Sequence, residues 1–172
     1  VPFCQHYGVC GGCKWQNLPY AEQLRFKTEQ VKDQLTRIGK IELPEVQPCL
    51  GSAKQQFYRN KLEFTFADKR WLTYEEIAAG GDIERVPALG FHIPNCFDKV
   101  LDIDTCYLQA EPSNSIRTEV KRFCIENGYS FHNCREHAGL MRNIIIRTAS
   151  TGEVMVIVIF NEADMERISA LM

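Results

Sequence analysis

The stretch "CQHYGVCGGCKWQ" places three thiols, Cys4, Cys10 and Cys13, in one short glycine-bearing loop, with five residues between the first two and two between the second pair. Thiolates at such spacing are soft ligands for zinc or for an iron–sulfur cluster. Structural zinc sites bring their ligands in two close pairs, and no second pair of cysteines follows here, so zinc fits awkwardly. Iron–sulfur clusters tolerate irregular spacing because each thiolate binds a different iron, and a three-cysteine loop with a remote fourth ligand suits them. Gly8, Gly11 and Gly12 let the backbone bend closely around such a group. By sequence alone Cys49, Cys96, Cys106, Cys124 and Cys134 compete for the fourth position. Cys124 reads as core packing, Cys49 lies in a proline-rich connector, and Cys96 sits in the loop "HIPNCF". His6, between the ligands, reads as a surface or hydrogen-bonding residue. His92, His132 and His137 are not spaced as a metal site.

Composition bounds what must position these residues. At 172 residues and 45% hydrophobic, the chain can bury one core, with or without an appendage. The formal net charge of −2 gives no bulk attraction to nucleic acid, although a local basic face is invisible in that sum. The eight cysteines are clustered at one end and scattered elsewhere, which favours metal over a disulfide framework. No signal peptide and no apolar run long enough to span a bilayer is found, so a cytoplasmic, reducing setting with no membrane partner is expected. The start at Val1 and the stop at Met172 within "EADMERISALM" read as an excised fragment.

The pattern of elements gives the fold class. "LPYAEQLRFKTEQVKDQLTRIG" sets Tyr20, Leu24, Val31, Leu35 and Ile38 on one helical stripe that stops at Gly39. After a connector, "YRNKLEFTFAD" alternates Leu62, Phe64 and Phe66 with Glu63 and Thr65, as a half-buried strand does. A second strand is expected at Trp71 to Tyr74, a loop with a Gly80–Gly81 turn after it, and short strands in "LGFHI" and "DKVLDID". Pro112 opens a helix whose apolar positions are Ile116, Val120 and Phe123. "NIIIRTASTGEVMVIVIF" reads as a hairpin, and Asn161 as the cap of a last helix. The order argues an α+β fold, a mainly antiparallel sheet with flanking helices and an N-terminal cysteine loop.

The run formed by Cys4, His6, Gly8, Cys10, Gly11, Gly12, Cys13, Trp15, Gln16, Leu18, Tyr20, Gln23 and Leu24 resembles the iron–sulfur signature of the RNA (uracil-5-)-methyltransferases, in particular the branch that acts on 23S ribosomal RNA. "YRNKLEFTF", "LGFH" with "VLDIDTCYL", and "GLMRNIIIRTASTGEVMVIVI" are similar in order and character to that family's central domain. The resemblance implies a [4Fe-4S] cluster on Cys4, Cys10, Cys13 and Cys106, the last being the cysteine that follows the "VLDID" strand. It also implies 23S rRNA as partner, with S-adenosylmethionine and the catalytic groups carried by a Rossmann-like C-terminal domain. Neither a Gly-rich cofactor turn nor the family's nucleophile motif is found here, so the chain alone is expected to be inactive. The implied layout is a cluster loop at 1–17, a helix at 18–40 that docks on the missing methyltransferase domain, and a central domain at 41–172. Arg59, Lys61, Lys14, Trp15 and Arg142, with Arg147, are the candidates for RNA contact, Trp15 alternatively serving as an apolar shield for the cluster. An iron–sulfur electron carrier and a zinc-stabilised interaction domain are the competing readings.

Overall fold

A computed structural model describes residues 1–81 and 83–172. Five strands form one antiparallel sheet: β1 (Lys61–Ala67), β2 (Ala88–His92), β3 (Val100–Asp102), β4 (Met141–Thr148) and β5 (Val154–Phe160), in the spatial order β3-β2-β1-β4-β5. The helices are α1 (Tyr20–Asp33), α2 (Tyr74–Ala79), α3 (Ser113–Glu126) and α4 (Met165–Leu171). The α+β class read from the sequence matches this arrangement.

β1 takes the centre because its alternation is the strongest in the chain. Leu62, Phe64 and Phe66 are buried on one face, while Lys61 and Glu63 are exposed on the other. Its register, Leu62 opposite Ile146 and Phe64 opposite Ile144, brings the buried residues of β4 onto the same side. Burying each such side chain contributes about 1.5–3 kcal/mol. Ile116, Val120 and Phe123 of α3 pack at the edge of this core, and so do Cys10 and Cys13 of the N-terminal loop. The opposite face stays open, as an antiparallel sheet permits.

Four expectations are corrected. No strand forms at Trp71 to Tyr74. Only Arg70 bridges to Val100, after which Thr73 caps α2: its hydroxyl accepts from the Glu76 N–H at 3.3 Å, and the Glu76 carboxylate accepts from the Thr73 N–H at 2.8 Å. This capping box makes the supposed loop a helix that ends at Gly80, where φ is +70°. Asp164, not Asn161, caps α4, accepting from the Arg167 N–H. The apolar stripe of α1, for which docking on another domain is expected, needs no such correction: Val31, Leu35 and Ile38 are exposed, and α1 runs into a π-helical turn, Gln34–Ile38. The buried positions of α3 are Ser113, Asn114, Arg117 and Cys124, so its inward face is rotated from the expected one and is partly polar.

Candidate functional site

The N-terminal loop is wound by its own backbone. Tyr7 N–H donates to the Cys4 carbonyl, and Val9 and Cys10 N–H both donate to the His6 carbonyl. Gly11 N–H donates to the His92 carbonyl at 3.1 Å, which fastens the loop to the end of β2. A Cβ at Gly11 would stand 2.5 Å from that same oxygen, so only glycine allows the approach. On the far side, the His6 Nε2 accepts from the Asp104 N–H at 3.2 Å, and Gln5 donates to the Asp104 carboxylate at 3.0 Å. These contacts bring the loop against the connector between β3 and α3, where Cys106 lies.

Cys106 is held from α3. The Asn114 side chain accepts from the Cys106 N–H at 2.8 Å and donates to its carbonyl at 3.1 Å. One turn further, Arg117 donates to the Ile103 and Asp104 carbonyls, the second at 2.7 Å. Neither residue stands out in the sequence. Asn114 stands among the serines Ser113 and Ser115 and Arg117 precedes Thr118, so the first turns of the helix read as polar apart from Ile116.

Cys4, Cys10, Cys13 and Cys106 line one cavity, which has Phe91 and Ile103 among its walls and encloses about 370 Å³, part of it open to solvent. Burial pushes the Cys10 thiol up to about 11, against the Gly12 N–H that bonds its sulfur at 3.3 Å; the nearby Cys106, Cys13 and Cys4 push it the same way as burial. Burial also raises the Cys106 thiol, opposed by a hydrogen bond from the Leu108 backbone. His6, at the rim, is held below its ordinary value by burial. Among the described residues, no group of three or more His, Cys, Asp or Glu is arranged to hold a metal ion.

The wall suits an anionic group. Arg117 is 1% exposed and carries a buried Nε without a partner. Its guanidinium lies 5.4 Å from the centroid of Phe64, and no carboxylate among the described residues is within ion-pair distance of it. An unpaired buried cation costs several kcal/mol unless negative charge lies nearby. Asp102, Asp104 and Glu111 already act on it from beyond ion-pair distance, and a Cys106 thiolate would add to their charge; the Gly12 and Leu108 N–H groups point at the Cys10 and Cys106 sulfurs.

The other cysteines lie elsewhere. Cys124 is in the core, Cys49 pairs through its N–H with Thr28 of α1, and Cys134 lines a different cleft. Cys96 sits in the loop after β2 and is not part of the cavity wall.

The residues expected to meet RNA do not form one patch. Arg59 and Lys61 are exposed at the start of β1, Lys61 opposite Arg147 and 3.6 Å from Glu63. Arg142 is exposed at the other end of the sheet, near His132. Lys14 is exposed, and its carbonyl accepts from the Tyr7 hydroxyl. Trp15 is 46% exposed and faces Lys27 of α1, whose Nζ lies 5.9 Å from the ring centroid. It does not line the cysteine cavity, so the shield alternative is not what the geometry has; Phe91, Ile103, Tyr107 and Leu108 occupy that position.

No family model matches the chain. It is 63% identical over 159 residues to an uncharacterized RNA methyltransferase of Bacteroides thetaiotaomicron, covering 92% of this chain and 35% of the relative. A second uncharacterized RNA methyltransferase, from Porphyromonas gingivalis, is 52% identical over 99% of this chain and 38% of its own length. Among solved structures, the chain is similar to the tRNA (uracil-54, C5)-methyltransferase of Pyrococcus abyssi, crystallised with S-adenosyl-L-homocysteine. The TM-score is 0.64 and the identity 27%, over 95% of this chain and 34% of that one. The chain therefore spans little more than a third of the length of the relatives it matches. Over nearly all of its own length it is similar to RNA methyltransferases. Among the described residues, no helix is long and apolar enough to cross a membrane.

Proposed function

We propose that this chain is the cluster-bearing and RNA-contacting part of an S-adenosylmethionine-dependent RNA (uracil-5-)-methyltransferase acting on 23S ribosomal RNA. One observation carries the reading: three cysteines of the N-terminal loop and the remote Cys106 line a single cavity, with the buried Arg117 close enough to act on the Cys106 thiol. In this reading Cys4, Cys10, Cys13 and Cys106 hold a [4Fe-4S] cluster. A bound cluster supplies four iron–thiolate bonds that tie the loop to the sheet. Asn114 and Arg117 orient Cys106, Gly11 brings the loop within reach, and Phe91 and Ile103 keep water from the sulfurs.

Arg59, Lys61, Lys14, Trp15 and Arg142 contact RNA in this reading, through phosphates and unstacked bases. Methyl transfer to carbon 5 needs a nucleophile, a base and a sulfonium site held within reach of one another. We assign those to the part of the parent that corresponds to the unmatched two thirds of its relatives. The exposed apolar residues Phe26, Val31, Leu35 and Ile38 of the 18–40 segment would dock there. The solved neighbour acts on tRNA, which makes a tRNA substrate the second reading.

Anaerobic reconstitution with iron and sulfide tests the cluster. Cys106→Ala should lose iron and acid-labile sulfide and Cys96→Ala should keep both; the reverse result overturns the ligand set. Methylation of 23S rRNA against tRNA by the full-length parent separates the two substrate readings.

A further inference from the structure

A second cleft lies at the opposite end of β1 from Arg59 and Lys61. It is formed by residues 65–71, the end of β2, and the segments 98–100 and 132–135, and it holds about 760 Å³ including its open mouth. Its charged lining is Lys69, Arg70, Arg85, Lys99 and Arg135 against Asp68 and Asp98, five cations to two carboxylates. With Glu76, which pairs with Arg70 from just outside the lining, the excess is two positive charges on a chain whose formal net charge is −2. The cleft is therefore the local basic face that a summed charge conceals.

Its cations are of two kinds. Arg70 is fixed by Glu76 at 2.7 Å, and Asp98 holds both Arg135 at 2.5 Å and Lys99 at 3.3 Å. The Asp98 side chain is itself only 8% exposed, and the Arg135 hydrogen bonds keep its carboxyl below the usual carboxylate range. These pairs pre-orient guanidinium and ammonium groups, which lowers the entropic cost when a ligand binds. Lys69 and Arg85 are exposed, and neither has a carboxylate within ion-pair distance among the described residues. Two imidazoles complete the lining: His92 and His132 each have a buried Nδ1 that lacks any hydrogen-bond partner among the described residues. The indole of Trp71 adds an aromatic surface, with the Lys99 Nζ 5.9 Å from its ring.

We propose that this cleft binds phosphodiester groups of single-stranded or looped RNA, as a second contact separate from Arg59 and Lys61. The proposal rests on the RNA-methyltransferase reading for the identity of the strand. Cations drawn from several chain segments and spread along an open groove suit a backbone that passes through it, and the aromatic beside them suits an unstacked base. Eight positions separate Lys61 from Lys69, so at about 3.3 Å per residue the two basic ends stand up to about 26 Å apart. One bound strand would thus be gripped at two points across the sheet.

The test is fluorescence anisotropy of the chain with a labelled, unstructured RNA of about 12 nucleotides, followed between about 50 and about 200 mM salt. Lys69→Gln with Arg85→Gln should weaken binding several-fold at low salt. It should also flatten the slope of log affinity against log salt by about 1.4, since each single-strand phosphate that the protein no longer neutralises takes about 0.7 from that slope. Lys69→Arg with Arg85→Lys keeps both charges and should leave the slope unchanged, with the thermal midpoint of each variant equal to that of the parent. A slope unchanged in the glutamine pair but lowered by Arg59→Ala with Lys61→Ala overturns the cleft and leaves the RNA reading standing. No salt-dependent binding by the unaltered chain overturns both. Displacement of the RNA by sub-millimolar inorganic phosphate overturns the strand assignment in favour of a small-anion site.

Discussion

Replacing Arg117 with methionine would test whether a buried cation holds the fourth thiol in place. Methionine keeps much of the aliphatic stem, and it deletes both the guanidinium over Phe64 and the hydrogen bonds to the Ile103 and Asp104 carbonyls. Hydrogen bonds from a charged donor contribute about 1.5–3 kcal/mol each, or about 3–6 kcal/mol for the two. Against this, removing the guanidinium also removes its own desolvation cost, which is several kcal/mol. The Ile103 carbonyl decides the balance. It belongs to a residue only 4% exposed and would be left without its donor, a penalty of about 1–3 kcal/mol that nothing offsets. The expected net destabilisation is about 2 kcal/mol in the metal-free chain. With a urea dependence of about 2 kcal/mol per molar, the unfolding midpoint should fall by about 1 M. Far-ultraviolet circular dichroism across a urea series, with chelator present, measures it. A midpoint equal to or above that of the parent would refute the reasoning, since it would mean that the cation is a net cost and that the turn before Cys106 stands without it.

Gly11→Ala should separate the cysteine loop from β2, because its Cβ would meet the His92 carbonyl oxygen at 2.5 Å. Limited proteolysis should cut the segment ahead of α1 faster in this variant, while Gly12→Ala, whose nearest neighbour would be 3.4 Å away, stays near the parent's rate. Cys124, fully buried and with its thiol pushed up to about 12 by that burial, should resist iodoacetamide at about pH 8, near the range where an ordinary thiol ionises, until the chain unfolds. Peptide mass spectrometry should find Cys49, Cys96 and Cys134 modified first, and equal labelling of Cys124 would mean that the core opens in the native state. Arg59→Ala with Lys61→Ala should lower the salt slope of RNA binding by about 1.4, and an unchanged slope would make that pair a merely solvated edge.

Local pattern carries most of the sheet. β1 is legible because a buried side chain at every second position of an antiparallel strand leaves a period in the sequence, and the β4–β5 hairpin is legible from two β-branched runs around Thr151 and Gly152. α2 is easily misread although its signal is present: Thr73 and Glu76 have the spacing of a capping box, but Gly80 and Gly81 mark the turn beyond it more loudly. The face of α3 is hidden for a deeper reason. Ile116, Val120 and Phe123 make the better apolar stripe, yet the helix turns Asn114 and Arg117 inward because the connector carrying Cys106 has buried backbone groups to satisfy. That need arises from tertiary placement and leaves no period in the sequence. The meeting of Cys106 with the N-terminal loop is likewise a property of the sheet order, which sets β2 and β3 side by side. The basic cleft is assembled from several separated segments, so no stretch of sequence contains it.

The position of β5 at the rim of the sheet bears on how the chain behaves at high concentration. β5 pairs with β4 on one side only, and its sequence, VMVIVIF, holds no charge and no proline. Met155 and Ile157 are 57% and 39% exposed on the open face. Such an edge has the composition of segments that pair edge to edge and stack into cross-β assemblies. The charges that flank it, Glu153 and Glu162, stand outside the strand, so they guard its ends and leave its middle unguarded. Handling of the isolated chain will accordingly turn on colloidal behaviour as much as on folding stability, and a lysine in place of Met155 or Ile157 is the change that would make it tractable.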